Sequence, residues 1–174
     1  MDTMKSIVLN KFDVKENVIQ YDFEQFKEVE SCTLNRFEIN DDIINKLEQM
    51  KNLKTIIFSH CVFTNEKKLK NNIESLMIIY GKNVKFETIE CSKTIKRLMI
   101  TKFENLDMDE LIRFENLEEL CLYECEIKNF SNIKIFKYLQ SLKLDGSQID
   151  QKEVIDEISS KIKVQYNKIY RVGV

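Results

Sequence analysis

The sequence predicts an α/β solenoid of about seven coils, with a concave parallel β-sheet on one side and short helices or 3₁₀ turns on the convex side. Three observations predict it. In the stretch Leu117, Leu120, Leu122, Cys125 and Ile127, apolar or thiol side chains fall at relative positions 1, 4, 6, 9 and 11 of one unit. The same spacing returns in units starting near residues 4, 29, 53, 73, 95, 117 and 139, at intervals of 20 to 25 that settle at 22 over the last three. Between units the apolar residues switch to spacings of three or four, as helical returns require. Each unit offers only a few side chains to bury, worth roughly 1.5 to 3 kcal/mol apiece, so stability must come from stacking unit on unit.

Taken in order, the template falls first on Met4, Ile7, Leu9, Phe12 and Val14, then on Val29, Cys32, Leu34, Phe37 and Ile39. The third copy is Leu53, Ile56, Phe58, Cys61 and Phe63. The fourth, Ile73, Leu76, Ile78, Gly81 and Asn83, ends on a polar residue, and Val84 is the nearest apolar replacement. The fifth, Ile95, Leu98, Ile100 and Phe103, reaches its last apolar contact one residue late, at Leu106. The seventh, after the unit at Leu117, is Leu139, Leu142, Leu144, Ser147 and Ile149. The middle of each unit alternates, so it reads as a strand with its leucine-type residues inward and the residues between them outward.

The returns differ along the chain. Asn40-Asp41-Asp42 followed by Ile43, Ile44, Leu47 and Met50 reads as a capped helix, and Thr64-Asn65 before Glu66-Lys67-Lys68-Leu69 as a second, shorter one. Leu111 and Phe114, or Phe130, Ile133 and Phe136, suit a single turn or a 3₁₀ segment. Residues 84–94 show no helical stripe, and Phe86, Ile89 and Cys91 allow a competing register. After Ile149 the template stops. Residues 1–149 are therefore read as the solenoid and 150–174 as a C-terminal cap, a helix around Val154, Ile155 and Ile158 and then a short strand with Val164 and Tyr166. No comparable cap precedes Met4, so the first strand is expected to be an open edge through which a homodimer could form.

The recurring pattern, Leu-x-x-Leu-x-Leu-x-x-Asn/Cys-x-Leu, resembles the leucine-rich-repeat family over residues 4 to 149. The last repeats, with Ile127, Phe130, Ile133, Phe136 and Leu139, look most like the 22-residue subclass that includes a phosphatase-regulating subunit. The resemblance implies recognition of a protein through the concave strands. One departure matters: where the family places asparagine, this chain has Phe12, Phe37, Gly81 and Phe103, with Cys61, Cys125 and Ser147 as polar substitutes. Phenylalanine cannot make asparagine's hydrogen bonds to the backbone, which predicts irregular turns or bound water there.

Composition narrows the function classes. Of 174 residues 43% are apolar and 32% charged, the balance of a folded domain. The formal net charge of −2 arises from 27 basic and 29 acidic residues interleaved throughout, which disfavours nucleic acid and membrane surfaces as partners. No apolar run approaches the roughly 18 residues of a spanning helix, so a cytoplasmic location is expected. Cys32, Cys61, Cys91, Cys121 and Cys125 are odd in number, contain no Cys-x-x-Cys pair and have one histidine, His60, for company. Reduced thiols are the simplest reading. Neither a metal nor a cofactor is expected: the acids Asp107, Asp109 and Glu110 lack the glycine and closing glutamate of a calcium loop, and no glycine-rich phosphate loop exists.

The strand register nominates a working surface. The central outward column is Val8, Thr33, Ile57, Met77, Met99, Cys121 and Lys143, and the next column places Ile79, Thr101 and Tyr123 beside the methionines. An apolar stripe on a face expected to meet water marks a partner site, and methionine and tyrosine suit adaptable interfaces. Lys5, Glu30, Lys54, Glu74, Lys96 and Glu118 alternate in sign as a polar rim. The expected function is a non-enzymatic protein-binding scaffold. A phosphatase-regulating subunit and a thiol enzyme using Cys121 or Cys61 are the alternatives; Cys121 is expected to be an exposed thiol, while Cys61 sits at a structural position with His60 on the opposite side.

Overall fold

The computed structural model describes residues 5–11 and 23–167, so the expectations for Met4, Phe12 and Val14 lie outside the described residues. In chain order the elements are β1 (Ser6–Asn10), β2 (Ser31–Asn35), β3 (Glu38–Ile39), helix α1 (Asp41–Gln49), β4 (Thr55–Ser59) and β5 (Val62–Phe63). There follow β6 (Ser75–Ile79), β7 (Arg97–Thr101), β8 (Leu106–Asp107), α2 (Met108–Leu111), β9 (Glu119–Tyr123) and β10 (Glu126–Lys128). The last are β11 (Ser141–Lys143), β12 (Gln148–Ile149), α3 (Glu153–Ser159) and β13 (Lys163–Gln165).

Eight of the strands form one parallel sheet in the order β1-β2-β4-β6-β7-β9-β11-β13. Because this order is chain order and every pair is parallel, each connection carries the chain back to the same end of the sheet. The register aligns Ile7, Cys32, Ile56, Leu76, Leu98, Leu120, Leu142 and Val164 in one inward row. Leu9, Leu34, Phe58, Ile78, Ile100 and Leu122 form the second. Both rows belong to one continuous hydrophobic core, with only the terminal Ile7 and Val164 partly buried. The alternation read from sequence thus sets which face is core.

Past the sheet, the chain turns sharply. Arg36, His60, Tyr80, Lys102, Glu124 and Gly146 all have left-handed backbones, with φ from 52° to 70°. Each donates its N–H to the carbonyl at the end of the following strand or turn: Arg36 to Ser59, His60 to Ile79, Tyr80 to Thr101, Lys102 to Tyr123, Glu124 to Asp145 and Gly146 to Asn167, at 2.7–3.2 Å. This ladder satisfies the backbone where the strands end. Beyond it lie two small sheets, β3-β5 and β12-β10-β8. No strand of the β6 circuit joins them; a single bridge from Val62 to Lys82 stands in its place.

Asn83 and Asn105 explain the two late contacts. Both are left-handed, at 56° and 57°, a conformation asparagine tolerates better than most residues. Each adds one residue to its turn, which brings Val84 against the core and aligns Leu106 with Ile127.

On the return side, α1 starts where expected: the Asn40 side chain accepts a hydrogen bond from the Ile43 N–H at 3.1 Å, and Ile43, Ile44 and Leu47 are buried. Residues 64–69, expected as a second capped helix, form no helix: the chain bends at Lys67 and makes a single bridge at Leu69. The Asp41 carboxylate accepts from the N–H groups of Glu66 and Lys67 at 2.8 and 2.7 Å, and Leu69 bridges Ile89 in parallel, so the neighbouring circuits claim the backbone that a helix would need. Phe86 and Cys91 lie in two 3₁₀ turns, Phe86–Thr88 and Glu90–Lys93, with Ile89 between them, and all three are buried. They therefore belong to the return and not to a competing strand register. Phe130–Ile135 is 3₁₀ as expected. At the C-terminal end α3 buries Val154 and Ile158, and β13 extends the sheet beside β11 without crossing its outward face.

Candidate functional site

The outward face is built by the residues between the two core rows. Val8, Thr33, Ile57, Met77, Met99, Cys121 and Lys143 align in one column across seven strands, and Ile79, Thr101 and Tyr123 in the next. All ten residues nominated from the sequence therefore share one surface. Val8 is 60% exposed, whereas Ile57, Met77, Ile79, Met99 and Tyr123 are half-buried by their neighbours on adjoining strands. Asn10 and Asn35 continue the second column toward β1 and hydrogen-bond to each other at 2.8 Å.

Charge divides this face. From β1 to β6 its outward positions within the strands are uncharged. Charges begin at Arg97 and continue with Glu119, Lys143 and Lys163, and Glu119 is engaged by Lys143 at 3.5 Å. The alternating rim is real in part: Lys54 pairs with Glu30 at 3.4 Å and Lys96 with Glu118 at 3.3 Å.

Cys121 departs from its expected exposure. It does face outward, but only 5% of its surface is accessible, because the small thiol lies among Met77, Met99, Glu119 and Lys143, which with Ser75, Arg97 and Leu98 line a cavity of about 90 Å³. Burial is the main cause that raises its pKa above the ordinary thiol value. Tyr123, its hydrogen-bond partner, is also raised, to about 12, first by burial and then by that thiol. The other cysteines are buried as well. Desolvation pushes Cys32 and Cys91 up to about 12 and Cys61 and Cys125 to about 11. A thiol nucleophile needs the opposite shift. His60 does not assist Cys61: its Nδ1 lies 3.0 Å from Ser59 Oγ, and the Cys61 thiol is turned to the Leu34 carbonyl.

A second row was missed by sequence reasoning. Arg36, His60, Tyr80, Lys102 and Glu124, the left-handed residues of successive turns, stand along the edge of the outward face. The His60 ring stacks on Tyr80 with centroids 4.7 Å apart and planes 10° from parallel. Lys102 Nζ lies 4.7 Å from the Tyr80 ring centroid and 3.2 Å from Glu124. The hydrogen bond to Tyr80, and then Glu124, hold the Lys102 ammonium above its ordinary pKa. An aromatic pair with a cation at its end thus borders the methionine stripe. The available signal was the spacing of these residues, which follows that of the strands.

Among the described residues there is no group of three metal-binding side chains, and no helix is long and apolar enough to cross a membrane. Neither a family model nor a curated protein matches the chain.

Proposed function

We propose that this chain is a leucine-rich-repeat solenoid and acts as a non-enzymatic recognition module, holding a protein partner on the outward, concave face of its long sheet. The observation that carries the reading is the unbroken apolar stripe Ile57, Met77, Ile79 and Met99, half-exposed on three adjacent strands where a free sheet face would favour polar residues. The strand interval near 22 residues, the repeated left-handed turn and the sequential parallel order support the repeat assignment. Burial of every described cysteine and the raised pKa of each weigh against the thiol-enzyme alternative.

The test is Met99→Asp, read by thermal melting and by partner capture from the native cell. Its side chain faces away from the core rows, so the expected outcome is an unfolding transition close to that of the parent with capture abolished. An unfolded variant would make the stripe part of the core, and undiminished capture would remove the face from binding.

A further inference from the structure

On the reading that the outward face binds protein, we infer the chemistry of its ligand: an extended peptide segment that seats an aliphatic side chain in the Met77–Met99–Cys121 cavity and sets a neighbouring carboxylate against Arg97. The cavity, about 90 Å³, sits at the centre of the face and has room for a single aliphatic side chain. Its floor is soft and apolar, two methionines and a thiol, and methionine adapts to the shape of what enters. Arg97 stands at its mouth.

The carboxylates at this end of the face are already engaged. Glu119, the cross-strand neighbour of Arg97, is turned to Lys143 at 3.5 Å. Further along the edge, Glu124 is held by Lys102 at 3.2 Å, and Asp145 accepts from Gln165 Nε2 at 3.2 Å. Arg97 itself is exposed and has no carboxylate partner among the described residues. An acidic residue on an incoming segment would complete a guanidinium–carboxylate pair beside a desolvated apolar contact, where such a pair discriminates more than it does in open water. A basic residue at that place would meet the like charge of Arg97, with the neighbouring Glu119 already engaged by Lys143. From β1 to β6 the outward positions set no electrostatic demand, and of the charges beside the cavity Glu119 and Lys143 pair with each other, so the demand at the cavity comes from Arg97.

The test uses random peptides displayed on phage, selected in parallel against the purified full chain and its Arg97→Glu variant, with both proteins checked for the same unfolding transition. Enriched peptides are then synthesised, and their binding is located by the methyl resonances of Met77 and Met99. The expected result is enrichment of an aliphatic residue close to an acidic one, about tenfold weaker binding when that acid is changed to lysine, and selection of basic peptides by Arg97→Glu. Peptides that move both methionine methyls without preference for charge would overturn the inference while leaving face binding intact. Peptides that bind without moving either methyl, or the absence of any enriched peptide, would remove the face reading and the inference together.

Discussion

Two kinds of turn leave the long sheet, and they solve the same problem by different means. At Cys61, Cys125 and Ser147 a side chain hydrogen-bonds the backbone of the preceding circuit. The Cys61 thiol donates to Leu34 O at 3.3 Å, Cys125 to Ile100 O at 3.6 Å, and the Ser147 hydroxyl donates to Leu122 O at 2.8 Å while accepting from Cys125 N–H at 3.0 Å. At Phe37, Gly81 and Phe103 no such donor exists. Phe37 is buried in the core instead, and Phe103 packs its ring against Phe86 with centroids 5.9 Å apart. Gly81 is there because of crowding: a Cβ would sit 2.5 Å from the Ile78 Cγ2 and 2.9 Å from that of Val84. The donor turns at Cys125 and Ser147 lead directly into β10 and β12 of the three-stranded small sheet, and the Gly81 turn falls where the small sheets are interrupted. The turns after Gly81 and Phe103 each carry an extra left-handed asparagine, Asn83 and Asn105, whereas Phe37 replaces the lost hydrogen bond by burial.

The largest effect is expected of Ser147→Ala, which removes only the hydroxyl and leaves the Leu122 carbonyl and the Cys125 N–H without their partner. A loss of about 3 kcal/mol in urea unfolding is expected, and a loss within error of zero would show that the hydroxyl is dispensable. Gly81→Ala should follow at about 2 kcal/mol, since two branched side chains must move to admit one methyl; the same urea titration checks it. The smallest effect separates thiol turns from the hydroxyl turn by pH. Burial raises Cys61 from 9.0 to about 11, so between those values the unfolded chain releases a proton that the folded chain retains. The corresponding stability is complete below pH 9 and lost as pH rises toward 11. Cys61→Ser, which does not titrate there, should reduce the fall in stability between pH 8 and pH 10 by about 1 kcal/mol, measured as the difference in urea midpoints.

Much of the architecture was legible in the template. Alternation at Leu120 and Leu122, Ile78 and Met77, or Phe58 and Ile57 assigns each side chain to a face, and the parallel register bears the assignment out strand by strand. The α1 cap was legible too, because Asn40 and the apolar residues after it act within one segment. The non-helical course of residues 64–69 was not, since it depends on Asp41 of the preceding circuit and Ile89 of the following one. Nor was the burial of Cys121, which is imposed by side chains on neighbouring strands.

The His60–Tyr80–Lys102 row marks the boundary most clearly. Strict alternation would turn the residue after each strand inward, and tyrosine and lysine carry no preference for positive φ that would announce otherwise; of the three only His60 is of a type enriched there. Stacking decides it: the ladder of N–H to carbonyl bonds fixes the left-handed turn in each circuit and rotates these side chains to the rim. The inward rows and the apolar outward column can be read without the structure, because they depend on alternation along single strands. Tertiary structure alone decided which outward groups are exposed, which carboxylates are already paired and where the turn residues point, because each depends on contacts between circuits some 20 residues apart.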